Sequence, residues 1–223
     1  MSSRRRPPCV LRPAGPVGLV RAVAHHLDER SRSTAAPRSP VQGGRSCGYT
    51  VGMSTRPAGG LSAAEVLRVL AAVEAVGLQA WVAGGWGVDA LVGRQTRPHR
   101  DLDLALDVTR AGVERALSAL EPLGYHVETD WRPCRVELAA PSARWVDLHP
   151  VTFDDRGTGW QADVDGLPPF RYPPDAFSSG TIDGRAVRCL SVVQQLRFHE
   201  GYPPRPQDLA DVALLRRLRG STR

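Results

Sequence analysis

The 223-residue chain is 42% hydrophobic and 23% charged, an ordinary globular composition with room for one large domain or one domain and a small one. Its net charge of +6 is unevenly spread: residues 1–52 hold nine arginines and two acids, +7, and the remainder holds 20 arginines and 21 acids, −1. The near-neutral body argues against a nucleic-acid partner, and with no run of 18 uncharged apolar residues no membrane span is expected.

Residues 1–55 read as an Arg/Pro-rich tail, disordered for want of any hydrophobic period, and Met53 stands as an alternative start. Cys9, Cys47, Cys134 and Cys189 form no CxxC pair, which predicts no zinc site and reduced thiols in a cytoplasmic protein. All 29 basic residues are arginine, a bias that cautions against giving each one a role.

The first predicted element is a helix. Ser62 and Glu65 form a capping box, Leu61 can staple onto Val66, and apolar residues recur at Val66, Val69, Leu70, Val73 and Val76 before Gly77. "LQAWVAG" reads as a buried strand, Gly84-Gly85 as a tight turn, "WGVDALVG" as a short helix and 94–100 as a polar loop. "DLDLALD" alternates strictly, putting Leu102, Leu104 and Leu106 on one face and Asp101, Asp103, Ala105 and Asp107 on the other. A helix from Thr109 to Glu121 and three strands, "YHVET", "CRVELAA" and "RWVDLHPVTF", follow. "DDRGTG" and "DVDG" are turns, the proline-rich stretch 167–180 is a loop, and "GRAVRCL" is a strand. Ser191 with Gln194 opens another helix, and a last one runs from Pro206 with Asp208 and Asp211 early and Arg216, Arg217 and Arg219 late, matching the helix dipole.

The chemistry concentrates in 84–103. Side chains two apart on a strand leave the same face roughly 6 to 7 Å apart, so Asp101 and Asp103 repel and call for positive charge between them. A pair of divalent ions about 3.5–4 Å apart fits such carboxylates, and magnesium favours carboxylate with phosphate oxygens. The strand–glycine–helix passage at Gly84-Gly85 offers free N–H groups to a phosphate. Asp147 shares a face with Trp145 and His149; it either pairs with Arg135 or Arg144, or faces solvent, or acts as a ligand.

"GGWGVDALVGRQTRPHRDLDL", with "VDLHPV" and "GRAVRCLS" further on, resembles the signature of the lincosamide and aminoglycoside 2''-nucleotidyltransferases, within the DNA polymerase β-like superfamily. The resemblance covers roughly residues 62–217. It implies an α/β (α+β) fold: a small mixed sheet flanked by helices, with residues 56–166 as the nucleotidyltransferase domain and 167–219 as a loop plus helical C-terminal region. It implies magnesium-dependent transfer of a nucleoside monophosphate, AMP from ATP, to a hydroxyl of a small molecule such as an aminoglycoside or lincosamide. Gly84, Gly85 and Trp86 would bind the nucleotide, with the basic residue the family favours at Arg97, and Asp101, Asp103 and Asp147 would hold two magnesium ions. Arg100 reads from its place before the aspartates as a further phosphate-clamping candidate or, like Arg94, as solvated surface. Asp147 would also take the acceptor's proton, with Glu137 as the competing base. His99 reads as an orienting histidine, and Asp89 as a partner of an arginine or a solvent-facing carboxylate. Trp131, Trp145, Trp160 and Tyr172 are candidates for an acceptor pocket, and Asp154, Asp155, Asp163 and Asp165 for attracting a cationic sugar. Two rival functions stay open: modification of RNA or protein, and a catalytically silent nucleotide-binding module.

Overall fold

The computed structural model describes residues 60–109, 112–163, 169–200 and 202–221. The tail 1–55, Cys9, Cys47, Asp165 and most of the "DVDG" turn lie outside the described residues.

Helix α1 (Ala63–Ala75) begins where the capping box puts it: the Ser62 hydroxyl accepts from the Glu65 N–H at 3.2 Å. Its stripe of Val66, Val69, Leu70 and Val73 is buried. The chain continues through β1 (Ala80–Val82), α2 (Gly84–Val92), β2 (Asp101–Asp107), α3 (Glu114–Leu120), β3 (His126–Trp131), β4 (Arg135–Ala140) and β5 (Arg144–Phe153). Then come β6 (Gly159–Gln161), β7 (Phe170–Tyr172), β8 (Phe177–Ile182), β9 (Arg185–Leu190), α4 (Val192–Phe198) and α5 (Pro206–Ser221). No helix among the described residues is long and apolar enough to cross a membrane.

The strands form one mixed sheet in the order β3-β4-β5-β2-β1-β9-β8, with β6 and β7 extending from the end of β5. β2 runs parallel to β5 and β1 parallel to β9; the other pairs are antiparallel. On one sheet face Leu102, Leu104, Leu106, Val136, Leu138, Val146 and Leu148 pack with the buried stripe of α1 and with Ala116 and Leu120 of α3. On the other face a smaller cluster joins Trp81, Ala105, Phe170, Tyr172 and Leu190. The buried carboxylate Glu65 is held by Tyr125, whose hydroxyl donates to it at 2.9 Å, and by Arg144 and Arg68.

Two expectations need correction. The helix after Thr109 is shorter: its regular part is α3, followed by a 3-10 turn at Glu121–Leu123. The stretch 167–180 is not a plain loop, because it contains β7, a 3-10 turn and the start of β8. Its prolines flank a Phe-Arg-Tyr strand rather than interrupt it, and Phe170 and Tyr172 are buried while Arg171 points out. Three residues are too few to reveal a period in sequence.

Candidate active site

The register of the sheet assembles the site. Asp103 of β2 lies opposite Asp147 of β5, and Asp147 lies opposite Glu137 of β4. Facing residues on neighbouring strands share a sheet face, so Asp101, Asp103, Asp147 and Glu137 gather on the face opposite the leucines. Asp147 and Glu137 are buried. Burial, reinforced by the neighbouring Asp103 charge, pushes the Asp101 carboxyl above its ordinary value, against the opposing pull of Arg100 and His99.

Arg135 answers part of this negative charge. Its Nη1 donates to Asp147 Oδ2 at 3.1 Å and its Nη2 to Glu137 Oε2 at 3.0 Å. The guanidinium sits 4.7 Å from the Trp131 ring centroid, a cation–π contact that helps a buried cation. Of the two arginines open to Asp147 in sequence, Arg135 is the partner, and Arg144 binds Glu65 instead.

The glycine turn lies directly over the aspartates. Helix α2 starts at Gly84 itself, and the Ala83 N–H bonds to the Asp103 carbonyl at 2.9 Å. The N–H groups of this first turn have no partner within the helix. A Cβ on Gly84 (φ +55°) would fall 2.1 Å from Asp103 Oδ2, and one on Gly85 would fall 2.3 Å from His99 Nδ1 and 2.6 Å from Arg97 Nη2. Glycine thus leaves open a small space walled by main-chain donors, Arg97 and the Asp103 carboxylate.

A cavity of about 440 Å³ opens above this floor, with Gly84, Gly85, Asp101, Asp103, Arg97 and Arg100 among its walls. The far side is closed by Phe198 at the end of α4, Tyr202 and Arg205 from the connection that follows, and Asp208 of α5. Arg97 lines the cavity while engaged with α5: its Nε and Nη2 donate to Asp211 at 3.3 and 2.7 Å.

Asp103, Asp147 and His149 present ligand atoms that all lie within 4.8 Å of one another. With Asp101 beside them the set is rich in carboxylate oxygen, which suits a hard divalent cation. His149 Nε2 is 3.2 Å from Asp103 Oδ1.

Other expectations change. The Trp86 side chain is buried against His99, 4.9 Å between ring centroids, so only its main chain is available to a nucleotide. Asp89 neither meets an arginine nor faces water. It is buried and bonds His99 Nε2 and the Thr96 hydroxyl, clamping the loop 94–100 onto α2. Of the four aromatic pocket candidates only Tyr172 lines the cavity; Trp131 covers Arg135 and Trp160 is exposed. Asp154 serves its turn, accepting from the Arg156 and Thr158 N–H groups. Cys134 and Cys189 are free thiols. Gln161 and Gln195, which carry no recognisable pattern in the chain, reach His149 and the Gly84 carbonyl from separate elements.

The family model for aminoglycoside-2''-adenylyltransferase matches residues 65–215. A lincosamide resistance protein of Staphylococcus haemolyticus is 34% identical over 152 residues, covering 68% of this chain and 92% of that protein. A 2''-aminoglycoside nucleotidyltransferase of Escherichia coli is 34% identical over 126 residues, 56% of this chain and 64% of the relative's length. The crystal structure of a lincosamide antibiotic adenylyltransferase with lincomycin bound superposes with a TM-score of 0.64 at 33% identity, covering 71% of this chain and 99% of that one. A solved aminoglycoside relative in complex with adenylyl-2''-tobramycin, at 22% identity and TM-score 0.54, shares the fold. The chain belongs to the aminoglycoside-2''-adenylyltransferase family and is a nucleotidyltransferase.

Proposed function

We propose that this enzyme transfers AMP from ATP to a hydroxyl of a small molecule, and that a lincosamide is the first acceptor to try. The observation that carries the reading is the stacking of the α2 glycine turn on Asp103, with Asp101 and Asp147 on the same face. The match spans 92% of the lincosamide relative against 64% of the aminoglycoside one, at equal identity, which supports that acceptor class first. Residues 56–166 would carry the chemistry, and 167–219 would close the cavity.

In this reading Gly84, Gly85 and the Trp86 main chain receive the phosphates through the free N–H groups of α2. Arg100 and Arg97 neutralise phosphate charge from the cavity wall, Arg97 by sharing its guanidinium with Asp211. Asp101, Asp103 and Asp147 would hold two magnesium ions, which lend charge neutralisation at the phosphates. The acceptor oxygen forms a bond to the α-phosphorus as the α–β bridging bond breaks and pyrophosphate leaves. The acceptor's proton passes to Asp147, which Arg135 orients. Catalysis is then chiefly positioning and charge neutralisation.

The test incubates the full chain with ATP labelled at the α-phosphate, Mg2+ and separate pools of lincomycin, tobramycin, tRNA and protein. Label is expected on lincomycin. Label confined to tRNA or protein would point to a macromolecular acceptor, and binding of ATP with no transfer to any pool would leave a silent module.

A further inference from the structure

His149 is the nitrogen-bearing side chain among the carboxylates around Asp103, and its two ring nitrogens face different partners. Nε2 lies 3.2 Å from Asp103 Oδ1. Nδ1 lies 3.1 Å from the side-chain nitrogen of Gln161. An amide can be turned end for end, so the orientation of Gln161 has to follow from its neighbours.

Those neighbours agree. Gln161 is buried, and its Nε2 also lies 3.1 Å from the Cys134 carbonyl oxygen. A main-chain carbonyl can only accept, so the Gln161 atom facing it is the NH2 group. The buried Tyr172 hydroxyl donates to Gln161 Oε1 at 2.5 Å. Turning the amide would set two oxygens against each other in a buried space, which leaves an acceptor unsatisfied. One hydrogen of the NH2 group therefore serves Cys134 and the other serves His149 Nδ1. Nδ1 is the acceptor, and the proton of the neutral ring sits on Nε2, aimed at Asp103.

We infer that Gln161 locks His149 as the Nε2–H tautomer, so that His149 is a positioning residue that donates a hydrogen bond to Asp103 and is not a ligand of the metal ion. The last clause rests on the metal reading proposed above. Its consequence is an all-oxygen metal site, which favours magnesium over ions that prefer imidazole. Tyr172 and Gln161 thereby orient Asp103 from beyond the carboxylates, as outer partners of metal ligands do.

The experiment is long-range 1H–15N correlation spectroscopy of the 15N-labelled full chain without metal, which reads the proton on each ring nitrogen directly. The His149 signals are identified by their absence in His149→Gln. The expected pattern is a protonated Nε2 and a bare Nδ1; the reverse overturns the proposal. In Gln161→Glu the carboxylate cannot donate, and Nδ1 is expected to gain a proton. When magnesium chloride is added to the wild-type chain, Nε2 should keep its proton. Loss of that proton makes His149 a ligand and ends the positioning account. Calorimetry adds a second readout: His149→Ala should weaken Mg2+ binding roughly 10- to 100-fold, while His149→Gln, which can still donate near the Nε2 position, should restore most of it. Unchanged affinity in His149→Ala counts against the proposal. A wild-type chain that binds no Mg2+ overturns the proposed metal chemistry instead, and the tautomer found without metal is unaffected by that result.

Discussion

One face of the central sheet carries Leu102, Leu104, Leu106, Val136, Leu138, Val146 and Leu148, buried against helices. The other face, made by alternate residues of the same strands, carries Asp101, Asp103, Arg135, Glu137, Asp147 and His149. The first face gains stability from each residue it buries, since apolar burial is worth about 25 cal/mol per Å². The second gathers like charges close together, and it holds its shape because the strands beneath it are fixed by the first. Strand alternation thus separates stability from chemistry within single strands. Substitutions on the two faces should therefore fail in different ways.

The largest effect is expected from Asp103→Asn. The variant keeps the side-chain shape and loses the charge opposite Asp147. Turnover with a working acceptor should fall to background, while the melting temperature holds or rises, because one of two repelling carboxylates is gone. Near wild-type turnover would refute the metal-site reading.

Asp147→Asn comes next, with turnover lowered about 10² to 10⁴ if Asp147 is the general base. Mg2+-dependent ATP affinity, read by calorimetry, should weaken much less, since Asp101, Asp103 and the glycine turn remain. Arg135 holds Glu137 in the same grip, so Glu137→Gln is the necessary companion. If Glu137→Gln is the inactive variant and Asp147→Asn retains turnover, the base belongs to β4.

On the apolar face Leu106→Ala should cost about 2 to 5 kcal/mol in urea unfolding. Leu106 is completely buried and stands on β2 beyond the aspartate pair. Turnover per folded molecule should change little. A variant that keeps its stability but loses turnover would dissolve the division between the faces.

The part of this arrangement that repeats locally was legible in the sequence. The alternation of "DLDLALD" puts the aspartates on one side and the leucines on the other, and the capping boxes at Ser62 and Ser191 start α1 and α4 where they were expected. The motif around Gly84 and Asp103 was enough to suggest the family. What was hidden depends on contacts between distant elements. Asp89 binds His99, ten residues away, because the loop 94–100 folds back over α2. Arg97 meets Asp211 across 114 positions. Gln161 reaches His149 from a three-residue strand with no detectable period. Charged and amide residues carry no periodic signal of their own, so their partners emerge only after the sheet has brought them together.

The smallest effect tests how the polar face is closed. Arg205 and Asp208 stand where α5 begins, and the Arg205 main-chain N–H donates back to Asp208 Oδ2 at 2.9 Å, the return half of a capping box. The Arg205 guanidinium donates to both Asp208 oxygens at 3.0 Å. Burial pushes the Asp208 carboxyl up, but these hydrogen bonds and the Arg205 charge outweigh it, so the net displacement is below the ordinary 3.8. A carboxylate whose folded value is lowered adds stability above the unfolded value and loses it as pH falls through the folded one. Asp208→Asn should therefore destabilise the chain at pH 7 by about 0.5 to 1 kcal/mol, the low range suited to a pair whose arginine is a third exposed. The gap in urea midpoint between the two proteins should close as the pH is taken below 3.8. A gap that persists unchanged into acid would mean that the shape of the side chain, rather than its charge, holds the start of α5 against the cavity.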